Sequence, residues 1–490
     1  MSSSFRMSSI QYMYNYKQSL NKTYKEQAKI LEQGDGTSIH RASDDPIAYS
    51  KLLRYNVSES ENDQYGKNVD TAISWMQTSD SAVAHISDRM KTFSEKTVAA
   101  ANSYNTDADF QSIAKEMFAQ IEEIVAVANT QQGDRYIFSG QKDTTEPFVL
   151  SHDYYDRGVA KTLDAKQAAF FKDTAGDDNA TLFQFLTVEQ TNADTGLKET
   201  YYLDTQSGYL YTKKFVDEGY KELIAQAYTS INATDKLSSA NEPLAKTYAA
   251  GKIDIDNFKM SDAFTNRGLL RDDVKDADKR DTCLSYTQKS NGDFEVTGLK
   301  VTMYSVDENT HAVTAGANSE FSFSTIKQRM ITYSGDDNYI SMVKMNGAND
   351  KSSDIVNLNG NDLFGCDIFD DANSGWGQSG CAMLNNMLTV YSFTNSSDEH
   401  WLTSDGVTLS DVSHATITIA ETTLGSRLNL YSSVSEMLDN QSTTITNDIT
   451  NVSGTDVADL ATRLMEMTTL YNMALSLGGR VLPQSLADYL

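Results

Sequence analysis

Two blocks of helically spaced apolar residues, one toward each end, constrain this chain more than any other feature. From Val69, steps of three and four residues run unbroken through Ala72, Met76, Ser79, Val83, Ile86, Met90, Phe93, Thr97 and Ala100. After a turn at "NSYNTDAD" the spacing resumes through Phe110, Ala114, Met117, Ile121, Ile124 and Ala128. Toward the other end, Leu424, Tyr431, Leu438, Ile445 and Val452 recur every seven residues. Beyond "SGTD", where Asp456 suits a cap, a last stripe follows: Val457, Leu460, Leu464, Met467, Tyr471, Ala474, Gly478 and Val481. Such spacing holds one helix face against another helix. A helix without a partner is marginal in water, so each terminal block needs one, and the economical partner is the other block.

A looser heptad occupies residues 5–33, with Ile10, Met13, Leu20, Tyr24 and Leu31 on one seam and Lys17 and Gln27 interrupting it. It stops at "EQGDGTS", whose Gly34 and Gly36 suit a helix end. Segments 5–33 and 456–482 are expected to be short of partner surface in the monomer and to order against neighbouring copies. Between the first seam and the long stripe lies "HRASDDPIAY". Pro46 suits the first position of a helix, Asp45 can cap its open amides, and Asp44 lies near its positive end. Arg41, just ahead, has Asp44, Asp45 or a carboxylate of another subunit as candidate partners.

Between Gly133 and about residue 414 the texture changes. "RYIFSG", "FQFLTVEQT", "ETYYLDTQSGYLYT", "FEVTGLKVTMYSV", "EFSFSTI" and "ATITIA" are strand-like runs separated by Gly, Asn and Asp turns. "KFVDEGYKELIAQAY" interrupts them with helical spacing. The expected fold class is α+β. A helical stalk, a coiled-coil-like bundle, forms from the paired N- and C-terminal regions and carries an inserted β-rich head of one or two subdomains.

The chemistry suggested by the residues is sparse. A net charge of −27 over 490 residues argues against nucleic acid and anionic membrane as partners. No apolar run reaches membrane-spanning length, and the opening "MSSSFRMSSIQYMYNYKQSL" lacks the apolar core of a cleaved leader. The six histidines (His40, His85, His152, His311, His400 and His414) form no metal-ligand pair, and no GxSxG, Walker-type or GxGxxG motif occurs. Cys283, Cys366 and Cys381 contain no CxxC and read as buried thiols. "GDDNY" at 335–339 and "GCDIFDDANSG" at 365–375 match no EF-hand spacing and read as solvated acidic turns. Trp75 falls beside the seam of the second helix, so packing is its expected role. No catalytic, cofactor-binding or metal residue is therefore expected.

Several of these stretches together resemble bacterial flagellins and flagellin-like axial proteins. "RASDDPIAY" after a short heptad helix carries the likeness at the N-terminal end. "ANTQQGDRYIFSG" followed by "TEPF", with Arg135, Tyr136 and Phe138, is similar to the hook-filament junction branch of that family. So are "TTLGSRLN", "DVADLATRL" and the closing "LPQSLADYL", and more loosely "YSGDDNYISMVKMNGAND" with "VNLNGNDLFG". Residues 150–330 match nothing recognisable; the middle is longer than that branch needs, and Gly478-Gly479 weakens the last helix.

The resemblance implies a structural protein without enzymatic activity or cofactor, located in the extracellular flagellum and exported unfolded without a cleaved signal. Copies would form a ring between the first hook-associated protein and the flagellin filament, and an export chaperone would hold Val457, Leu460, Leu464, Met467 and Tyr471 beforehand. It implies terminal inner-tube helices at 1–44 with 453–490, a helical stalk at 45–150 with 415–452, and a head at 151–414. Ile10, Met13, Leu20, Tyr24, Leu31 and Arg41 would face other subunits, and Asp44, Asp45 and Pro46 would mark the break between two concentric layers. A flagellin filament subunit is the nearest alternative. A secreted oligomeric adhesin or carbohydrate-binding protein on a helical stalk is the alternative of another class.

Overall fold

The computed structural model describes residues 9–161, 163, 167, 169, 185–204, 208–217, 249–252, 277–306, 313–345, 347, 353–365 and 381–481. The principal helices are α1 (Ser9–Glu32), α2 (Pro46–Ala100), α3 (Asp107–Ala128), α4 (Ala382–Asn395), α5 (Val407–Ser453) and α6 (Val457–Val481). The strands are β1 (Gln131–Gln132), β2 (Arg135–Tyr136), β3 (Phe148–Leu150), β4 (Tyr155–Gly158), β5 (Ala160–Lys161), β6 (Phe185–Thr191) and β7 (Lys198–Asp204). They continue with β8 (Tyr209–Thr212), β9 (Ala249–Lys252), β10 (Leu284–Gln288), β11 (Phe294–Val306), β12 (Val313–Phe323), β13 (Thr325–Gln328) and β14 (Ile331–Tyr333). The fold is α+β: helices from both ends of the chain and a β-rich middle. Among the described residues no helix is long and apolar enough to cross a membrane.

The chain divides into two compact units, Met1–Asp70 with Val343–Ala348 and Ser432–Leu490, and Thr71–Met342 with Asn349–Tyr431. In the first, α1 packs along α6. The Tyr16 hydroxyl donates to the Ala474 carbonyl at 2.7 Å, and the Asn62 side chain of α2 donates to the Leu438 carbonyl of α5 at 3.0 Å. Ile30, Ile39, Val69, Val434, Leu438, Ile445 and Leu460 are its buried apolar residues from both ends of the chain.

In the second unit the long stripes become core. Ala72, Met76, Val83, Ile86, Met90 and Phe93 of α2 are fully buried, as are Met117, Ile121 and Ile124 of α3 and Leu424 and Tyr431 of α5. Trp75 is buried beside them. Thr106 and Asp109 close a capping box that starts α3: each side chain accepts from the other's backbone amide. α4 packs against α3 and β13.

The middle strands form a sheet that closes on itself. Neighbours run β11, β12, β6, β7, β8 and β9, and β9 returns to β11 through Thr302↔Lys252 and Met303↔Gly251. Every pairing is antiparallel. β10 and β5 extend the free edges of β11 and β6. Closure leaves few unpaired edges, and Leu186, Val188, Leu203, Leu210, Val296, Leu299, Val301 and Phe321 fill one apolar cluster. Gly298 permits the β11–β12 approach, since a Cβ there would lie 2.1 Å from the Phe321 carbonyl oxygen. Three two-stranded pairs, β1–β2, β3–β14 and β4–β13, stand apart from this sheet.

The structure corrects two secondary-structure readings. "ATITIA", read as a strand, lies inside α5. Ile417 and Ala420 are buried at three-residue spacing, and Thr416, Thr418, Thr422 and Thr423 each donate a hydroxyl to the carbonyl four residues earlier. Those local bonds satisfy β-branched polar residues on a helix. "RYIFSG" pairs as strand only at Arg135–Tyr136; Ile137 and Phe138 are buried in the turns that follow. The helical stretch "KFVDEGYKELIAQAY" is described only over Lys213–Asp217, which is helical; its remainder lies outside the described residues. Cys283 and Cys381 are buried, and Cys366 lies outside the described residues.

Candidate assembly surface

The candidate site is the terminal helix pair and the elbow that joins it to α2 and α5. α1 ends in a 3₁₀ turn at Gln33–Asp35, and Gly36 adopts φ +86°, a conformation glycine takes without strain. The returning chain meets this turn at the α5–α6 junction. Thr37 and Gly454 form an antiparallel bridge, the Ser38 amide donates to the Ser453 carbonyl at 2.6 Å, and the Thr455 amide donates to the Gly36 carbonyl at 3.0 Å. Both elbows are thus held by one short backbone ladder, which sequence reasoning did not find. Its residues are Gly, Ser and Thr, without apolar periodicity to signal it.

Asp35 organises the inner side of the elbow. Its carboxylate lies 2.9 Å from His40 Nε2 and accepts from the Thr37 amide and hydroxyl at 2.9 and 2.7 Å. The His40 contact, helped by Thr37, pulls the Asp35 carboxyl down to about 2. Asp45 accepts from the Ile47 and Ala48 amides at 2.9 and 3.0 Å and so caps α2, which begins at Pro46. Asp44 does not reach that helix end. It accepts from the His40 and Arg41 amides at 3.2 and 3.0 Å, and these bonds hold its carboxyl below the usual range. The Arg41 guanidinium pairs with Glu32 at 2.7 Å, not with Asp44 or Asp45, because Asp44 is engaged by the backbone. Both partners are well exposed, so the pair contributes under about 1 kcal/mol.

The seam between α1 and α6 differs from the predicted one on the α1 side. Tyr16, Leu20, Thr23, Gln27 and Ile30 turn inward, while Tyr24 (61% exposed) and Leu31 (59%) lie outside the seam. Two polar members hide this stripe from a hydrophobicity count, and only its three- and four-residue steps mark it. The side chains of Ile10 and Met13 lie outside the described residues. On α6 the inward residues are Leu460, Leu464, Met467, Tyr471 and Ala474, with Val457 exposed at the start. Tyr14, Met465, Leu470, Met473 and Leu475 are further large apolar residues left exposed. On α6 these point in several directions around the axis, a distribution suited to a helix enclosed on more than one side.

The remaining singled-out residues lie in the second unit. Arg135 forms an exposed ion pair with Asp143 at 3.2 Å, Tyr136 is half-buried, and Phe138 is buried with its carbonyl accepting from the Tyr333 hydroxyl at 3.0 Å. In the acidic turn, Asp336 is spent on the Gln141 and Asn338 amides, and a Cβ on Gly140 (φ +69°) would strike it. Among the described residues no group of three or more His, Cys, Asp or Glu is placed to hold a metal ion.

Residues 7–143 match the family model of the bacterial flagellin N-terminal helical region. Flagellar hook-associated protein 3 of Escherichia coli K12 is 27% identical over 161 residues, covering 31% of this chain and 51% of the relative. Its counterpart from Salmonella typhimurium LT2 is 26% identical over 180 residues, covering 35% of this chain and 56% of the relative. The chain thus spans about half the length of these curated relatives. A solved structure of a putative flagellar hook-associated protein from Vibrio parahaemolyticus aligns over 84% of this chain and 100% of its own, at 11% identity and a TM-score of 0.40. Over residues 7–143 the chain is thus similar to the flagellin N-terminal helical region, and over about a third of its length to flagellar hook-associated protein 3.

Proposed function

We propose that this chain is a non-enzymatic axial component of the bacterial flagellum, forming the junction between the hook, through the first hook-associated protein, and the flagellin filament. The observation that carries this reading is the terminal helix pair α1–α6, which satisfies one face of each helix and leaves large apolar side chains exposed. Surface of that kind stabilises association when neighbouring copies cover it. The similarity to flagellar hook-associated protein 3 supports this position in the assembly.

On this reading residues 1–44 with 453–490 form an inner layer, 45–150 with 415–452 an outer stalk, and 151–414 a head. Tyr24, Leu31, Arg41 and Val457 face other copies, as do Ile10 and Met13. Asp45 and Pro46 set the break between layers. Leu460, Leu464, Met467 and Tyr471 pack on α1, so an export chaperone that holds this stripe acts before the two ends pair. The protein travels through the flagellar export channel and works outside the cell.

Deleting the gene and imaging the cells tests the proposal. Intact hooks without filaments, with flagellin in the medium, are expected; filaments of normal length overturn it. The match to the flagellin helical region favours one second reading, a filament subunit. Copy number separates the two: a single ring for the junction, on the order of thousands of copies along each filament for flagellin.

A further inference from the structure

Beyond any role in assembly, the second unit contains a cavity of about 380 Å³ beside the closed sheet. That volume is within the range of small-molecule sites. Its floor is an ion cluster. The Lys161 ammonium, 6% exposed, lies 2.7 Å from Asp405 and 3.2 Å from Asp217, and Lys213 lies 2.8 Å from Asp217. Burial works against the Lys161 charge, but the two carboxylates outweigh it and hold the ammonium above its ordinary value. A third lysine at the wall, Lys198, pairs with Glu189 at 2.7 Å. Each of the three lysines is thus matched by a carboxylate inside the protein, so no lysine is left to hold an anion. Asp398, also on the lining beside His400, accepts from the Trp401 amide at 3.0 Å and is already engaged.

What the lining offers instead is hydroxyls and an aromatic surface. Thr187, Thr200, Ser324 and Thr325 line it, and the Ser324 hydroxyl oxygen is enclosed without a hydrogen-bond partner. On the same lining Trp401 stacks on Phe393, centroids 3.8 Å apart and planes 15° apart. Trp401 leads into a single π-helical turn at Leu402–Gly406, which brings Asp405 to Lys161; π turns of this kind recur at functional sites.

We propose that this cavity is a binding site for a neutral saccharide, a hexopyranose unit whose C–H face lies on the aromatic pair while its hydroxyls bond the serine and threonines. A neutral polyhydroxylated ring satisfies such a lining: it brings many donors and acceptors, one apolar face and no charge to desolvate.

Saturation-transfer NMR on the full chain tests this with methyl α-glucopyranoside, methyl β-galactopyranoside and N-acetylglucosamine, beside glucuronate and glucosamine as charged counterparts. With ligand at about 10 mM, a dissociation constant near 1 mM fills most sites. Transfer to at least one neutral sugar, exceeding that to both charged ones, is expected. Trp401→Ala should weaken binding about tenfold. Because that change also removes the half-buried ring stacked on Phe393, Thr325→Val, at an exposed position, is the second variant. It should lower binding while leaving the melting temperature unchanged. Absence of transfer from all three neutral sugars overturns the proposal, as does stronger binding of glucuronate or glucosamine, or equal binding in both variants.

Discussion

At the scale of single residues, two side chains do work that backbone would otherwise do. Asn385 on α4 is fully buried and pairs with Ile331 as a strand would: its carbonyl oxygen accepts from the Ile331 amide at 2.8 Å, and its amide donates to the Ile331 carbonyl at 3.0 Å. Asn385→Leu keeps the branched shape with slightly greater bulk and leaves both Ile331 backbone groups buried and unsatisfied. A loss of about 2–4 kcal/mol is expected in urea unfolding. The second is Asp35 at the elbow, whose carboxyl is held at about 2 in the fold against an ordinary 3.8. A depressed carboxyl contributes stability that is complete above the ordinary value and disappears as pH falls through the folded one. The elbow should therefore loosen between about pH 4 and pH 2, seen as lower amide protection at Thr37 and Ser38 relative to the free-peptide exchange rate at the same pH. Asp35→Asn should flatten that pH dependence. The Asp35 side chain is 54% exposed, so the effect is local.

At the scale of elements, α6 depends on α1 for its buried face, and that face supplies a sharp test. Leu464→Asp places a charge in the seam. It should release α6, seen as lost amide protection along Val457–Ala474, while the second unit keeps its melting behaviour. On the proposed junction role, cells carrying it should lose filament attachment. Normal motility would count against the helix-seam mechanism. Gly425 gives a contrasting case. It sits inside α5, and a Cβ there would meet nothing within 4 Å. Gly425→Ala should stabilise the isolated chain by about 0.5–1 kcal/mol. If the same change impairs assembly, a neighbouring copy approaches the α5 backbone at that point.

At the scale of the whole molecule, the two units differ in how their apolar surface is used. The second encloses its stripes and fills its closed sheet, while the first leaves Tyr14, Tyr24, Leu31, Val457, Met465 and Met473 exposed. Local stability follows buried apolar contact. In the isolated chain, α1 and α6 should therefore exchange their amides and yield to protease ahead of α3 and the sheet. Assembly with other copies should reverse that order by covering the open faces.

How much of this was legible in the sequence depended on whether a feature is local. The stripes from Ala72 to Ala100 and from Phe110 to Ala128, and the heptad through Leu424 and Tyr431, were readable because helical period and burial coincide residue by residue. The start of α2 at Pro46 was readable because capping is short-range chemistry. The α1 seam was misjudged because Thr23 and Gln27 can turn inward only opposite a particular partner. "ATITIA" was misjudged because strand propensity there is weaker than the packing of Ile417 and Ala420 in α5. The elbow ladder between Thr37 and Gly454, the return of β9 to β11, and the approach of Asp405 to Lys161 join residues far apart in the chain. No window of residues contains them. The sequence by itself therefore determined that both ends are helical, where α2 begins and which faces of α2 and α3 are apolar, since these follow from neighbouring side chains. Only the tertiary structure decided which faces meet, which remain open, and which polar groups are enclosed together, because those depend on distances across the fold.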